Sequence, residues 1–187
     1  MKSILWGAFA LLLAGLVSGC NQLTQYSISE QEVNEALHKH NNYEKDLGVA
    51  GLVNAHIVLT DLSSEIGRQE PDKVTLTGNA KVSISSLFGP QQAEMKLVMK
   101  ALPYFSREEG AVYLKDMELV DVQVVPEKMQ GVLNTLTPYL NQSLKDYFNR
   151  KPAYVLSADR SKAESLAKRF AKGLEVKPGK LIIPFTE

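Results

Sequence analysis

An unbroken alternation from residue 74 to 84 constrains this chain more than any other feature. Val74, Leu76, Gly78, Ala80, Val82 and Ile84 face one way, and Thr75, Thr77, Asn79, Lys81 and Ser83 face the other. A period of two sustained that long is a strand with one buried face. At about 3.3 Å per residue it extends roughly 36 Å, beyond the usual strand length. Similar runs flank it. Upstream, Val53, Ala55, Ile57 and Leu59 alternate with Asn54, His56 and Thr60, and residues 64 to 70 continue that strand after a bend. Downstream, Ala93, Met95, Leu97, Met99 and Ala101 alternate with Glu94, Lys96 and Lys100. Residues 111 to 125 then form a strand whose apolar phase moves from Met117 and Leu119 to Val120, Val122 and Val124, a slip that predicts a β-bulge. Turn signals at Pro71-Asp72, Gly89-Pro90 and residues 107 to 110 join these strands as hairpins, so the sheet is antiparallel.

Such a sheet needs a cover for its apolar face, and the helical patterns supply it. Ser29 with Glu32 three residues on, flanked by Ile28 and Val33, is a capping box with a hydrophobic staple, predicting a helix from residue 29 to about 40. After Pro126, the residues Met129, Val132, Leu133, Leu136, Leu140, Leu144, Tyr147 and Phe148 recur at helical spacing and define one apolar stripe. Pro138 lies inside this pattern and should kink it. Ser161 and Glu164 form a second capping box opening a short helix that Gly173 closes, residues 153 to 156 are strand-like, and Lys177-Pro178-Gly179-Lys180 is a turn. The fold class expected is α+β: a long curved antiparallel sheet wrapped around a kinked C-terminal helix, with a short N-terminal helix and a further short C-terminal helix.

The N-terminus carries a different message. Lys2 precedes an apolar run from Ile4 to Leu13, and Leu16-Val17-Ser18-Gly19-Cys20 ends it on the only cysteine of the chain. This leader resembles that of a bacterial lipoprotein precursor. The resemblance implies a signal peptide over residues 1 to 19, cleavage before Cys20, an S-linked diacylglycerol on its thiol and an N-linked acyl chain on its new amino group. The apolar run is shorter than the ~20 residues of a spanning helix, and two lipid attachments hold a protein stably on a membrane. Asn21 follows the cysteine. By the sorting rule of enterobacterial lipoproteins it points to the outer membrane, periplasmic face. Residues 20 to 28 form the lipidated cysteine and tether, and residues 29 to 187 a single domain. Removing the leader from 187 residues leaves 168, enough for one compact domain. The 21 basic and 21 acidic residues balance, and with Lys2 lost the mature part is about one charge negative, which does not recommend nucleic acid as a partner.

Asn21-Gln22-Leu23-Thr24-Gln25-Tyr26, Lys73-Val74-Thr75-Leu76-Thr77-Gly78, Pro126-Glu127-Lys128-Met129-Gln130 and Pro152-Ala153-Tyr154-Val155-Leu156 resemble the YceB family of enterobacterial lipoproteins, with a match along essentially the whole chain. That family is similar in architecture to the tubular lipid-binding superfamily, and the implication is handling of a lipid or other apolar ligand in a groove or tunnel between sheet and helix. The candidate lining is Met95, Leu97, Met99, Met129, Leu133, Leu136, Leu140 and Leu144. Flexible methionines suit a pocket for variable acyl chains and suit a plain core equally. Inward Gly78, Ala80, Ala93 and Ala101 lean toward a cavity. The alternative is a structural or adaptor lipoprotein with a solid core that binds an envelope protein.

Catalytic and metal chemistry find little footing. His38 and His40, two apart on a helix, point about 200° away from each other, so no metal site is expected. No phosphate loop, nucleophile elbow or cysteine pair occurs. Asp116, Glu118 and Asp121 read as a solvated strand face, and Tyr104, Tyr113, Tyr139, Tyr147 and Tyr154 as packing residues or the mouth of a groove. The expectation is a non-enzyme with no cofactor apart from its covalent lipid. Replacing Cys20 with serine should yield an unprocessed precursor that incorporates no labelled palmitate in growing cells. Palmitate on that variant would remove the lipidation site.

Overall fold

The computed structural model describes residues 24–49, 53–86 and 89–185. Cys20 and Asn21 lie outside them. In chain order the elements are β1 (Gln25–Ser29), α1 (Glu30–His40), β2 (Glu44–Val49), β3 (Val53–Ile66), β4 (Val74–Ser86), β5 (Gly89–Ser106) and β6 (Ala111–Val125), then a 3-10 turn (Glu127–Met129). They continue with α2 (Gln130–Arg150), β7 (Tyr154–Val155), α3 (Lys162–Phe170), β8 (Glu175–Lys177) and β9 (Lys180–Pro184). Strands β2 to β7 form one antiparallel sheet in sequence order, and β1, β9 and β8 form a second, smaller one.

The alternation holds along β4 apart from Thr75, an outward position that is buried. On β4, Val74, Leu76, Ala80, Val82 and Ile84 are buried while Asn79, Lys81, Ser83 and Ser85 are exposed. The register sets a small residue opposite a larger one at three positions, where Val74 faces Ala101, Gly78 faces Leu97 and Ala80 faces Met95, while Leu76 faces Met99. Such complementary pairs fill a curved sheet's concave side without strain. Gly78 is not an opening, because a Cβ there would stand 3.0 Å from Leu59 Cδ1 and 3.2 Å from Leu62 Cδ1. The expected lean of this position toward a cavity is therefore corrected: the two leucines occupy the space that the glycine leaves.

Those leucines both point inward because β3 carries a register shift between Leu59 and Asp61. The bend expected upstream of residue 64 is this bulge inside one continuous strand. The slip expected in β6 is present as well, with Val98 paired to Asp121 and Met99 to Leu119, so that Val120 is the extra residue. Val120 is 43% exposed rather than part of the inner phase, as an extra residue pushed out of the ladder should be. A second irregularity, between Lys100 and Leu102 of β5, lies opposite Asp116, whose φ of 50° is one that aspartate tolerates better than most residues.

Helix α2 packs against both β6 and β2, which stand far apart in the strand order, so the sheet curls until both reach one helix. Leu133, Leu136, Leu140, Leu144 and Phe148 are buried along it. Val132 is 36% exposed, so the stripe is narrower than the spacing suggested. The helix continues through Pro138 on its exposed face. Helix α1 has the expected reciprocal cap between Ser29 and Glu32 and packs on β3 and β1. Ser64, buried on β3, donates its N–H at 2.6 Å and its hydroxyl at 2.7 Å to Asn34 Oδ1 of that helix. Strand β1 takes residues assigned to the tether, pairing Gln25 with Pro184 through Ser29 with Lys180. Its sequence hid it, since Ile28 is its single fully buried residue. The described core runs from Ile28 to Phe185, so the chain from Asn21 onward carries all of it. Leu140, 1% exposed, should cost about 2–5 kcal/mol when replaced by alanine, read by urea unfolding. A loss below about 1 kcal/mol would show that its surroundings are incompletely packed.

Candidate ligand-binding cleft

The eight residues expected to line a tunnel lie together in one core, each between 0% and 4% exposed: Met95, Leu97 and Met99 on β5, Met129 at the head of α2, and Leu133, Leu136, Leu140 and Leu144 along it. Open space adjoins the far end of that stripe. A cleft of about 570 Å³ sits where the end of α1, the end of α2 and residues 151 to 160 meet. That volume is in the range of small-molecule sites. Its apolar floor is made by Leu37, Leu62, Phe148 and Ala153, and Lys39, Lys151 and Arg160 are its charged residues.

Each wall is fixed by local chemistry. Helix α1 stops at Asn41, whose N–H caps Leu37 O at 2.8 Å and whose side-chain amide donates to Leu59 O at 3.1 Å, turning the chain toward β2. Tyr147 ties α2 to that turn: its hydroxyl donates to Asn42 Oδ1 at 2.9 Å and accepts from Asn42 N–H at 3.3 Å. Its ring meets Tyr43 edge-on at 5.3 Å and Phe148 at 5.1 Å. Beyond α2, Ala153 N–H donates to Val112 O and Leu156 N–H to Gly110 O, both at 2.8 Å, which pins the third wall to β6 and the turn before it.

Beneath the cleft is a buried anion. Glu164 is 1% exposed. Ser161 does cap α3 by accepting from Glu164 N–H, but the Glu164 carboxylate does not return the bond. It turns inward instead, accepting from Tyr154 hydroxyl at 3.3 Å and Ser157 N–H at 3.1 Å and pairing with Arg160 at 2.6 Å. A buried charge needs such partners, and this requirement overrides the capping geometry expected from the spacing. Nor does Gly173 close the helix, which ends at Phe170 with Ala171 as its C-cap. Arg160 also donates to Val155 O and lies over the Tyr154 ring, 4.8 Å from its centre. Tyr154 hydroxyl is 3.4 Å from that of Tyr26 on β1. Burial first, then the bond to Tyr26 and the Glu164 charge, push the Tyr154 pKa far above the ordinary phenol value, and burial raises that of Tyr26. Both remain neutral hydrogen-bonding groups across the physiological range.

Of the five tyrosines considered from sequence, Tyr147 and Tyr154 line the cleft. Tyr104 and Tyr139 are each 53% exposed elsewhere, and Tyr113 bonds Glu109, which raises its pKa to about 12. Asp116, Glu118 and Asp121 are exposed as expected. His56, on the outer face, bridges Asp46 at 2.7 Å and Glu44 at 3.1 Å. No three His, Cys, Asp or Glu side chains among the described residues are placed to hold a metal ion. Sequence reasoning missed Lys39, Lys151, Arg160 and Leu62, because no local motif links residues so far apart. Arrangement of an apolar floor under a polar rim suits an amphiphile. Replacing Glu164 with glutamine, which loses the charge-assisted bonds, should destabilise the domain by about 1–3 kcal/mol in urea unfolding. An unchanged midpoint would show that this carboxylate does not hold the cleft wall.

The comparisons agree on kinship. Residues 28–180 match the family model described as protein of unknown function (DUF1439). An uncharacterized lipoprotein YceB from Salmonella typhimurium is 63% identical over 186 residues, and one from Escherichia coli 60% identical over 187, each match covering 100% of both chains. A crystal structure of lipopolysaccharide binding protein is similar at a TM-score of 0.35 and 10% identity, over 87% of this chain and 50% of that one, a likeness too distant to assign a ligand. The chain belongs to the DUF1439 family, among the lipoproteins named YceB.

Proposed function

We propose that this chain is a lipoprotein anchored through Cys20 to the periplasmic face of the outer membrane, and that its domain binds a lipid or other apolar ligand. The observation that carries the binding half is the continuity of the cleft with the core. Phe148 forms part of the cleft floor and is also the last buried residue of the stripe that runs back through Leu144, Leu140, Leu136 and Leu133 to Met129. An acyl chain entering the cleft lies over Leu37, Leu62 and Phe148, and the buried stripe behind Phe148 continues that apolar surface. Anchoring is supported by the leader and by the names of the relatives. Among the described residues no helix is long and apolar enough to cross a membrane. Binding is favoured over catalysis because Asn41, Asn42, Tyr147, Tyr154 and Arg160 are engaged in hydrogen bonds and an ion pair that hold the cleft's walls.

A second reading rests on the tight burial of the eight core residues, which fits an adaptor lipoprotein whose surface binds an envelope protein. One experiment separates them. The chain from Asn21 onward should bind a fluorescent long-chain fatty acid at micromolar concentration. Ala36, a half-buried cleft residue, should abolish that binding when replaced by tryptophan, with the unfolding midpoint unchanged. The only native tryptophan, Trp6, leaves with the leader, so the new indole also reports on the occupied cleft. No uptake of the probe by the parent chain, together with a large stability loss in Leu140→Ala, would decide for the adaptor.

A further inference from the structure

The charge around the cleft is one-sided. Its charged lining residues are Lys39, Lys151 and Arg160, with no aspartate or glutamate among them. Four other surface clefts each include at least one carboxylate: Asp72, Asp116 and Glu175 in one, Asp46 in the next, and Glu94 in both of the others. On a chain with equal numbers of acidic and basic residues, this rim departs from the rest of the surface.

Its unspent hydrogen-bonding capacity is also one-sided. Asn41 donates to Leu59 O and accepts from Tyr43 N–H, and Asn42 exchanges bonds with Tyr147. Ser157 N–H and Tyr154 hydroxyl are taken by Glu164, and Arg160 is neutralised by the same carboxylate. Lys39 and Lys151 are exposed, and their ammonium groups form no ion pair among the described residues. What remains at the mouth is two free ammonium groups and the outer edge of a guanidinium that its pairing holds in place. These are donors only, and they match an acceptor bearing negative charge.

The cleft also sits beside the start of the domain. Tyr26, the second residue of β1, meets cleft-lining Tyr154 at 3.4 Å. From Cys20 to Gln25 the chain reaches at most about 18 Å. A lipid on Cys20 would keep the mouth close to headgroup level.

We infer that the cleft selects amphiphiles with an anionic head, a fatty-acid carboxylate or a lipid phosphate. Lys39 and Lys151 hold the head, Arg160 serves as a fixed third donor, and the acyl chain lies over Leu37, Leu62 and Phe148. This rests on the lipid-binding reading above, and the test tells the two apart. The chain from Asn21 onward is titrated with a fluorescent long-chain fatty acid at alkaline pH, where it is a carboxylate, and with the corresponding alcohol. The acid should bind about three- to tenfold more tightly, as expected for two partly exposed ion pairs, and the advantage should shrink with salt. Lys39→Gln with Lys151→Gln should reduce the acid to the affinity of the alcohol and leave the alcohol unchanged. Lys39→Glu with Lys151→Glu should reverse the preference, favouring an alkylammonium probe. Lysophosphatidic acid should displace the fatty acid, whereas inorganic phosphate at the same concentration should not. Equal binding of acid and alcohol, unmoved by either double substitution, overturns the anion assignment and leaves lipid binding standing. Displacement by inorganic phosphate alone overturns it in favour of a simple anion site, and binding of neither probe overturns both readings.

Discussion

Enclosure of one helical stripe by one sheet is the interaction on which the rest depends. The side chains of α2 from Leu133 to Phe148 are buried, and the sheet reaches them from both directions because α2 touches β2 as well as β6. A flat sheet would cover only one side of the helix. The curvature comes from devices in the strands: the shift in β3 near Leu59, the extra Val120 in β6, and Gly78, which lets Leu59 and Leu62 come close over it. Remove the stripe and the sheet has no partner for its concave face. Remove the bulges and the sheet cannot close on the stripe.

That enclosure also dictates where a ligand can approach. Along most of its length the stripe faces β-strands whose inward residues are buried and fill the space between them, as Leu59 and Leu62 do over Gly78. At the end of α2 the sheet no longer supplies a wall, and the covering is done by α1, residues 151 to 160 and the network around Glu164. These are short segments tied by side-chain bonds and a few backbone bonds, and they meet around a cleft that a continuous sheet would have filled. The polar network stabilises this junction only while every member is satisfied. Arg160, Tyr154 and Ser157 together provide what the buried carboxylate requires.

The long strands and the central helix were legible because each is a sustained periodic pattern with one buried face. The first cap of α1 was legible too, since the capping bonds between Ser29 and Glu32 need no partner distant in sequence. Glu164 carried the same spacing and behaved differently, because its buried position and the partners gathered there, Arg160, Ser157 and Tyr154, outweighed the bond back to the cap. Strand β1 escaped notice because pairing with β9, more than 150 residues away, rather than its own pattern makes it a strand. The cleft escaped for the same reason: Leu37 and Phe148 fit ordinary apolar helix stripes, Leu62 carried no pattern of its own, and only the meeting of three chain segments turns them and Ala153 into a floor. A basic residue in the last turn of a helix, as Lys39 is, reads locally as a complement to the helix dipole.

The composition of the interior bears on how such a core admits a guest. Besides the initiator, the chain has four methionines, Met95, Met99, Met117 and Met129, and all are at most 4% exposed in the same core. Leucine and isoleucine hold a packed shape, whereas methionine re-packs around irregular volumes at little rotameric cost. Three of the four lie on the strands, facing a helix whose own stripe is mainly leucine. The sheet side is therefore the adaptable wall and the helix side the rigid one. On the proposed reading, an acyl chain advancing past Phe148 would replace methionine–leucine contacts with contacts of the same apolar kind, so the dispersion lost on displacement would be largely regained. The residual cost is conformational and falls on side chains that tolerate it. On the same reading, net affinity would turn on what the head meets at the rim, where Lys39 and Lys151 stand unpaired among the described residues.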